Sequence, residues 1–307
     1  MRDMKSTKRL VCCVLFCAVL SAAPAFGQVK IDIKGALEWN KQEINAVVSL
    51  DMASSGLKLP NGRMQGEALI ASEYIRLIRP SILNLQVDSS STVADLVRQG
   101  EWTSLDVENL ALRVRAVPPA LSPDLSSLLA FYTLNINDIS TALIRHERPV
   151  EVPVTLTPVS APTYTGIVII ASENLPVYGT TKSTALLRPC LFPKIWDTEM
   201  KLIFERNMLN PGAGAMVHYF SMKEIFAGGP SGLSREIAAV VGNRPLRIFA
   251  NGVFGIQPTD PIIGKQDTLQ IISNRENRRL LSEGRVAIII DDTLLVNPLP
   301  GAETINN

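Results

Sequence analysis

Apolar and polar positions alternate in two blocks near the start of the globular part of the chain. Ile31 and Ile33 alternate with polar neighbours, and Leu37 and Trp39 continue the pattern. After Asn40-Lys41-Gln42, Ile44, Ala46, Val48 and Leu50 alternate back. A period of two on either side of a polar turn predicts a β-hairpin with one buried face. Beyond the turn-rich stretch SSGLKLPNG, Met64, Ala68, Ala71, Ile75 and Ile78 recur at helical spacing, and Ile82 and Leu85 carry the phase past Pro80. This predicts an amphipathic helix whose stripe covers the hairpin. Pro80 should kink or end it, because proline removes a donor and crowds the preceding turn. ALRVRAV and LLAFYTLNI read as further strands, and Ile139, Leu143 and Ile144 as a short closing helix capped by Asn137 or Asp138. The order fits an α+β unit, a curled antiparallel sheet with one long helix packed across it.

The second half places strands at YTGIVIIAS, PLRIFA and RVAIIID. Asp267 to Glu283 reads as a helix, with Asp267 as N-cap and Gln270 completing a weak capping box. Leu269, Ile272, Leu280 and Leu281 share a face, and Arg278 and Arg279 favour the C-terminal end of the helix dipole. Gly284 suits a left-handed stop. In GPSGLSREIAAVVG, Ser231 and Ser234 flank Gly232; Ser234 reads as an N-cap and Gly242 as a stop. Pro149, Pro153, Pro158 and Pro162 punctuate a stretch in which Val150, Val152 and Val154 alternate, which reads as a linker or an edge strand. The expected organisation is a signal peptide over 1–27, an N-terminal α+β domain over 28–148, the proline-rich piece over 149–163, a second α/β domain over 164–292, and a C-terminal tail over 293–307. The fold class is α+β, with two small α/β sandwich-like domains.

The N-terminus changes how composition is read. Arg2, Lys5, Lys8 and Arg9 form a basic head, Leu10 to Leu20 is almost wholly apolar, and Ala25-x-Gly27 precedes Gln28. These are the parts of a cleaved secretory signal peptide. The apolar run is too short for a permanent membrane span, which ranks an uncleaved anchor second. Cys12, Cys13 and Cys17 lie inside that run, and Cys17 follows the bulky Phe16, whereas a lipid-accepting cysteine follows small residues. Four of the 30 Lys+Arg and one of the 29 Asp+Glu lie in residues 1–27, so the mature chain is near −2. Such a chain has no electrostatic footprint for nucleic acid and no polybasic run for anionic lipid. Cys190 alone remains after cleavage, which excludes an intramolecular disulfide and favours a buried thiol over one paired with a partner.

Searches for chemistry return little. Gly264-Lys265 resembles a phosphate loop, but Gln266 follows, Thr259 stands where the first glycine belongs, and Asp267 repels an anion. Gly252 and Gly255 form no dinucleotide fingerprint, since Pro258 and Pro261 interrupt any helix; they read as turn positions needing positive φ. His146 and His218 have no ligand spacing with each other, and read as a solvated helix end and a packed strand residue. No Gly-x-Ser-x-Gly elbow is present. Asp197, Glu199, Asp291 and Asp292 are the acids that would serve a glycosidase-like pair, against the plainer reading as a loop and a solvated strand end. Exposed aromatics in irregular segments often anchor partners. That makes Trp196 and Phe254 the rings to watch, with burial in the core the favoured reading for both.

Strung along the chain are motifs that resemble one family. LEWNKQEINAVVSLDM carries a Trp before a turn and strand, the long helix follows, and VDSSSTVADL begins at Val87. YTGIVIIAS, RPCLFPKIWDTE, MVHYF, VGNRPLRIFA, DPIIGKQDTLQII and LLSEGRVAIIID then run in order. The series is similar to the flagellar assembly protein T family and its small envelope lipoprotein relatives, the LPP-twenty type. The resemblance implies a non-catalytic protein of the cell envelope that binds other proteins, flagellar components among them.

The expectation is therefore a periplasmic, non-enzymatic assembly or scaffold protein without cofactor or metal. The alternative is an outer-membrane-associated surface protein with an adhesive or carbohydrate-binding role, and third stands an envelope hydrolase using Asp197, Glu199 or Asp291. Oligomeric state and peripheral membrane association stay open. Intact-mass and N-terminal sequencing of the exported protein should give a chain that begins at Gln28 and carries no acyl mass; a lipid-modified cysteine at the N-terminus would overturn this.

Overall fold

The computed structural model describes residues 30–227 and 233–300. The expected signal peptide, Ser231 and Gly232 lie outside the described residues. The first unit runs β1 (Ile31–Glu38), β2 (Glu43–Asp51), α1 (Gly62–Leu83), α2 (Val93–Gln99), α3 (Ser104–Ala111), β3 (Arg115–Leu121), β4 (Ser127–Asn135) and α4 (Ile136–Leu143). β1 and β2 form the hairpin that the alternation predicts, with Leu37 opposite Ile44. In β2, Ile44, Ala46, Val48 and Leu50 are buried, and β4 sets Leu134, Tyr132, Ala130 and Leu128 opposite them on the same face. The other face is polar or open, with Thr133 donating to Asn45 across the strands at 2.8 Å and Phe131 exposed. One buried and one solvated face is the usual state of an antiparallel sheet.

The long helix crosses this sheet on the expected stripe only in its second half, where Ile78 and Ile82 are buried, as is Leu85 just beyond it; the first half turns a different face to it. Met64, Ala68 and Ala71 are exposed, and Ile75 is half-buried. The buried stripe is Gly62, Gly66, Ile70, Tyr74, Leu77, Ile78, Ser81 and Ile82. The reason is close approach: a Cβ on Gly66 would lie 3.1 Å from a Leu128 methyl and 3.2 Å from a Leu50 methyl. A glycine there lets the helix backbone settle on the sheet, and a hydrophobic period does not register it. Tyr74 then stacks on Tyr132 with ring centroids 3.9 Å apart. Pro80 does not end the helix, which continues to Leu83. Pro80 is exposed, so water can serve the carbonyl that its missing N–H leaves free. α2 and α3 each begin with a capping box, Thr92 with Asp95 and Thr103 with Asp106. The N-cap of α4 is Asn135, two residues before the first of the expected caps, Asn137 or Asp138.

Residues 149–163 form no strand. Their prolines withhold the donors a ladder needs, and the stretch is tied to the second unit through Val150 N–H to the Asn207 carbonyl (2.7 Å) and Val159 N–H to Ser273 Oγ (3.1 Å).

The second unit runs β5 (Ile167–Ile170), β6 (Leu175–Pro176), β7 (Thr184–Ala185), β8 (Ile195–Asp197), β9 (Leu202–Phe204), β10 (His218–Ser221), α5 (Met222–Phe226), α6 (Arg235–Val241), β11 (Leu246–Phe249), β12 (Gly252–Phe254), β13 (Asp260–Ile263), α7 (Lys265–Ile272), α8 (Arg275–Ser282) and β14 (Val286–Ile290). A parallel sheet in the order β10-β14-β5-β11 contains all three strands expected from sequence. Its centre is buried on both faces, which is why β14 reads VAIII without alternation. One face packs against α5 and α6 through Val168, Ala287, Ile289, Ile237 and Val241. A second sheet, β12-β13-β8-β9, lies beside it. The helix expected over Asp267 to Glu283 is two helices. Gly264 rather than Asp267 is the first N-cap, and Asn274 caps α8 by accepting from Glu276 N–H at 2.9 Å. Arg278 reaches back to the Ile272 carbonyl at 2.7 Å and closes α7. Gly242 and Gly284 stop α6 and α8 at φ +71° and +69°, as expected.

The expected tail supplies a strand. β15 (Val296–Pro298) returns to the first unit and pairs antiparallel with β1, so the first sheet has the order β15-β1-β2-β4-β3. The hydrophobic core is continuous between the units, with Trp39 meeting Tyr219 edge-to-face at 5.6 Å. The face assignment of α1 is testable by chemical denaturation. Ile70→Ala should cost about 2–5 kcal/mol as a buried large-to-small change. Met64→Ala should stay within about 0.5 kcal/mol, and equal effects would contradict the observed stripe.

Candidate functional site

Where the two units meet, a cleft of about 420 Å³ opens. Its walls come from the end of β1 (Leu37, Trp39), the end of α1 (Ser81, Asn84, Leu85), the Arg188-Pro189 pair, and residues 294–300 around β15. Trp39 donates its indole N–H to Asn297 Oδ1 at 3.1 Å, which fixes the ring against β15. The far side is the loop between β12 and β13, which contributes Gln257 and Thr259. Gln257 Oε1 accepts from Arg188 Nη1 at 3.0 Å, and Arg188 N–H donates to the Pro258 carbonyl at 2.8 Å. Of the lining residues, Arg188 alone is ionisable.

The β12–β13 hairpin holds the units in register. Gly255 has φ +115°, and a Cβ there would come within 2.3 Å of Ser89 Cβ in the first unit. Only glycine permits this approach, and Gln257 N–H then donates to the Ser89 carbonyl at 2.8 Å. Gly252, by contrast, needs no positive φ; a Cβ on it would press within 2.9 Å of the Pro176 carbonyl. Asp260 is almost fully buried at the base of the hairpin. It accepts from Thr259 Oγ1 (2.9 Å), Lys194 N–H (3.1 Å) and Trp196 Nε1 (3.4 Å). Burial outweighs these donors and pushes its carboxyl above the usual range.

Beside the hairpin lies a row of three rings. Phe254 meets Trp196 at 5.7 Å and Tyr178 at 5.9 Å, both edge-to-face. Trp196 stands on β8 and Phe254 ends β12, so neither sits in an irregular loop as expected, and both are half-buried rather than core. Tyr178, which the sequence reading missed, is 50% exposed and completes the row. Its only sequence signal is a tyrosine before a turn, Tyr178-Gly179.

Among the remaining candidates, Asp197, Glu199 and Lys265 lie together. Gly264 is an N-cap at φ −64°, and Lys265 pairs with Glu199 at 2.6 Å. Glu199 also pairs with Lys201 at 2.5 Å, and hydrogen bonds from Lys201 and Lys265 pull its carboxyl down to about 2. Asp197 is buried and holds its own turn, accepting from Glu199 and Lys201 N–H groups, each at 2.8 Å. Asp291, past the end of β14, accepts from Thr293 N–H at 2.9 Å, and Asp292 pairs with Lys223 at 2.5 Å. Asp197 and Glu199 thus share the β8–β9 hairpin, Asp291 and Asp292 follow β14 of the parallel sheet, and each is engaged by near neighbours. His146 is half-buried, its Nε2 2.7 Å from the Leu209 carbonyl, so it ties the units together where a solvated helix end was expected. Cys190 is buried and free; its N–H donates to Tyr219 Oη at 3.1 Å, and that hydroxyl donates to the Cys190 carbonyl at 2.9 Å. Ser234 caps α6 as expected. Among the described residues, no group of His, Cys, Asp and Glu is placed to hold a metal ion, and no helix is long and apolar enough to cross a membrane.

Residues 30–142 match the family model of the Treponema pallidum Tp0624 N-terminal domain, and residues 166–292 match that of the Tp0624 second domain. The two matched segments correspond to the two units and follow the same order along the chain. No curated protein matches the chain.

His218 opens β10 opposite Ala287, and burial pushes its imidazole down to about 4. A depressed histidine contributes stability that is present above its unfolded value near 6.5 and is lost as pH falls toward the folded value. Denaturation between pH 7 and 4 should show the wild type losing roughly 2–4 kcal/mol that a His218→Phe variant retains. Parallel pH profiles for the two proteins would contradict this.

Proposed function

We propose that this chain is a non-catalytic exported cell-envelope protein that acts in assembly or scaffolding through protein–protein contacts. The observation that carries the reading is the half-exposed row of Tyr178, Phe254 and Trp196, together with the exposed Ile256 just beyond it. Rings held by a sheet at low conformational cost are common anchors of protein interfaces. The acids weighed for catalysis support the same reading, since they close turns or pair with lysines. The resemblance to the flagellar assembly protein T family puts the flagellar basal body forward as the specific location, with periplasmic partners.

The same rings favour a second reading, an outer-membrane-associated surface protein with an adhesive or carbohydrate-binding role, because aromatic faces also stack on apolar faces of sugars. A photo-crosslinking residue at Tyr178, with Lys223 as the exposed control position, separates the two. The first reading expects discrete protein adducts from position 178 that vanish in a Phe254→Ala background, in a protein released by osmotic shock. Adducts to glycan with detergent-dependent release would favour the second, and adducts no different from the control would overturn both.

A further inference from the structure

The cleft between the units presents one charge, side-chain carboxamides and half-buried leucines. Its only ionisable wall residue, Arg188, has no carboxylate within ion-pair distance among the described residues. The guanidinium is nonetheless held in place. The buried Leu187 and Cys190 anchor the chain around it, its N–H is fixed by the Pro258 carbonyl, and its Nη1 is fixed by Gln257. A charge positioned before its partner arrives loses less entropy on binding. Arg188 Nε and Nη2 and the Gln257 amide N–H groups are left to serve a guest, as is the carboxamide of Asn84 at the end of α1. The rest of the lining mixes the polar Ser81, Gln86 and Asn297 with the half-buried Leu37, Leu294 and Leu299, while Trp39 and Leu85 are almost fully buried.

We infer that this cleft binds a short acidic peptide segment of a partner protein. The carboxylate of the segment sits on Arg188, its backbone amides on Asn84 and Gln257, and an apolar side chain against Leu37, Leu294 and Leu299. A guanidinium and a carboxylate form the strongest class of protein hydrogen bond. Carboxamides match the paired donor and acceptor of a peptide bond, which an aliphatic carboxylate lacks. A cavity of this size at a junction between domains lies in the range of ligand sites. The inference rests on the contact-protein reading and names the chemistry of one partner. Glu303, in the segment after Pro300, is a second source of the same carboxylate.

The test uses the full mature chain and two probes, acetyl-Leu-Leu-Glu-amide and acetyl-Leu-Leu-Gln-amide, with NMR detection of the Trp39 indole N–H. The Glu peptide should shift that resonance and bind at least about tenfold more tightly than the Gln peptide, since charged hydrogen bonds exceed neutral ones by about that margin. An Arg188→Gln variant, altered only at an exposed side chain, should remove the difference. Equal affinities of the two peptides, an unaffected preference in Arg188→Gln, or an unmoved Trp39 signal at millimolar peptide would overturn the inference. Decanoate shifting Trp39 where the peptide does not would replace the peptide by a lipid-like carboxylate. Binding to a chain ended at Pro300 but not to the full chain would assign the site to the chain's own Glu303 segment and overturn the partner assignment. Crosslinking from Tyr178 reads a different surface, so failure at the cleft and failure of the contact reading remain distinguishable.

Discussion

The rest of the structure depends on one apolar core that runs unbroken from the first sheet to the inner face of the parallel sheet. Trp39 and Tyr219 meet at its crossing point, and the polar ends of both rings are satisfied locally, by Asn297 and by the Cys190 backbone. Around that contact the backbone closes the joint. Leu191 and Phe192 N–H groups donate to the Gln86 and Val87 carbonyls at 3.0 and 2.8 Å, Gln42 donates to the Val217 carbonyl at 3.1 Å, and β15 pairs with β1. Interfaces between domains are often polar and yielding. This one is apolar at its centre and hydrogen-bonded at its margin, which makes the cleft beside it a feature of fixed shape.

The joint also explains where glycine and buried polar groups appear. Gly255 is needed because the β12–β13 loop touches Ser89, and Asp260 is buried because it organises the same loop from beneath. A buried carboxylate costs desolvation, and the donors around it, Ser89 of the first unit among them, offset only part of that cost. What it provides is geometric: Thr259, the Lys194 backbone and the Trp196 indole converge on one carboxylate.

What the sequence made legible follows the range of the interactions. The β1–β2 hairpin was readable because its period of two is a local consequence of one buried face. The core strands of the second unit were readable as apolar runs because both faces are covered. The stripe of α1 was readable in its second half, through Ile78 and Ile82, and misread in its first, where the contact is made through Gly62 and Gly66, which carry no hydrophobic signal. The long helix of the second unit was read as one because Ser273 and Asn274 interrupt it without breaking the apolar phase. The cleft was not readable at all, since its walls are separated by up to hundreds of positions in the chain. Arg188 did leave a trace, a single charge between Leu187 and Pro189-Cys190 in an otherwise buried run.

The pairing of β15 with β1 joins nearly the first described residues to nearly the last, as the Trp39–Asn297 bond shows. Synthesis delivers a chain from its N-terminus, so the β1–β2–β4 part of the sheet can assemble while this edge still lacks its final strand. Until Val296 to Pro298 emerge, the backbone of Ala36 to Glu38 is an open template for strands of other molecules. β15 therefore acts as a built-in cover whose arrival ends the interval of greatest exposure to misassembly.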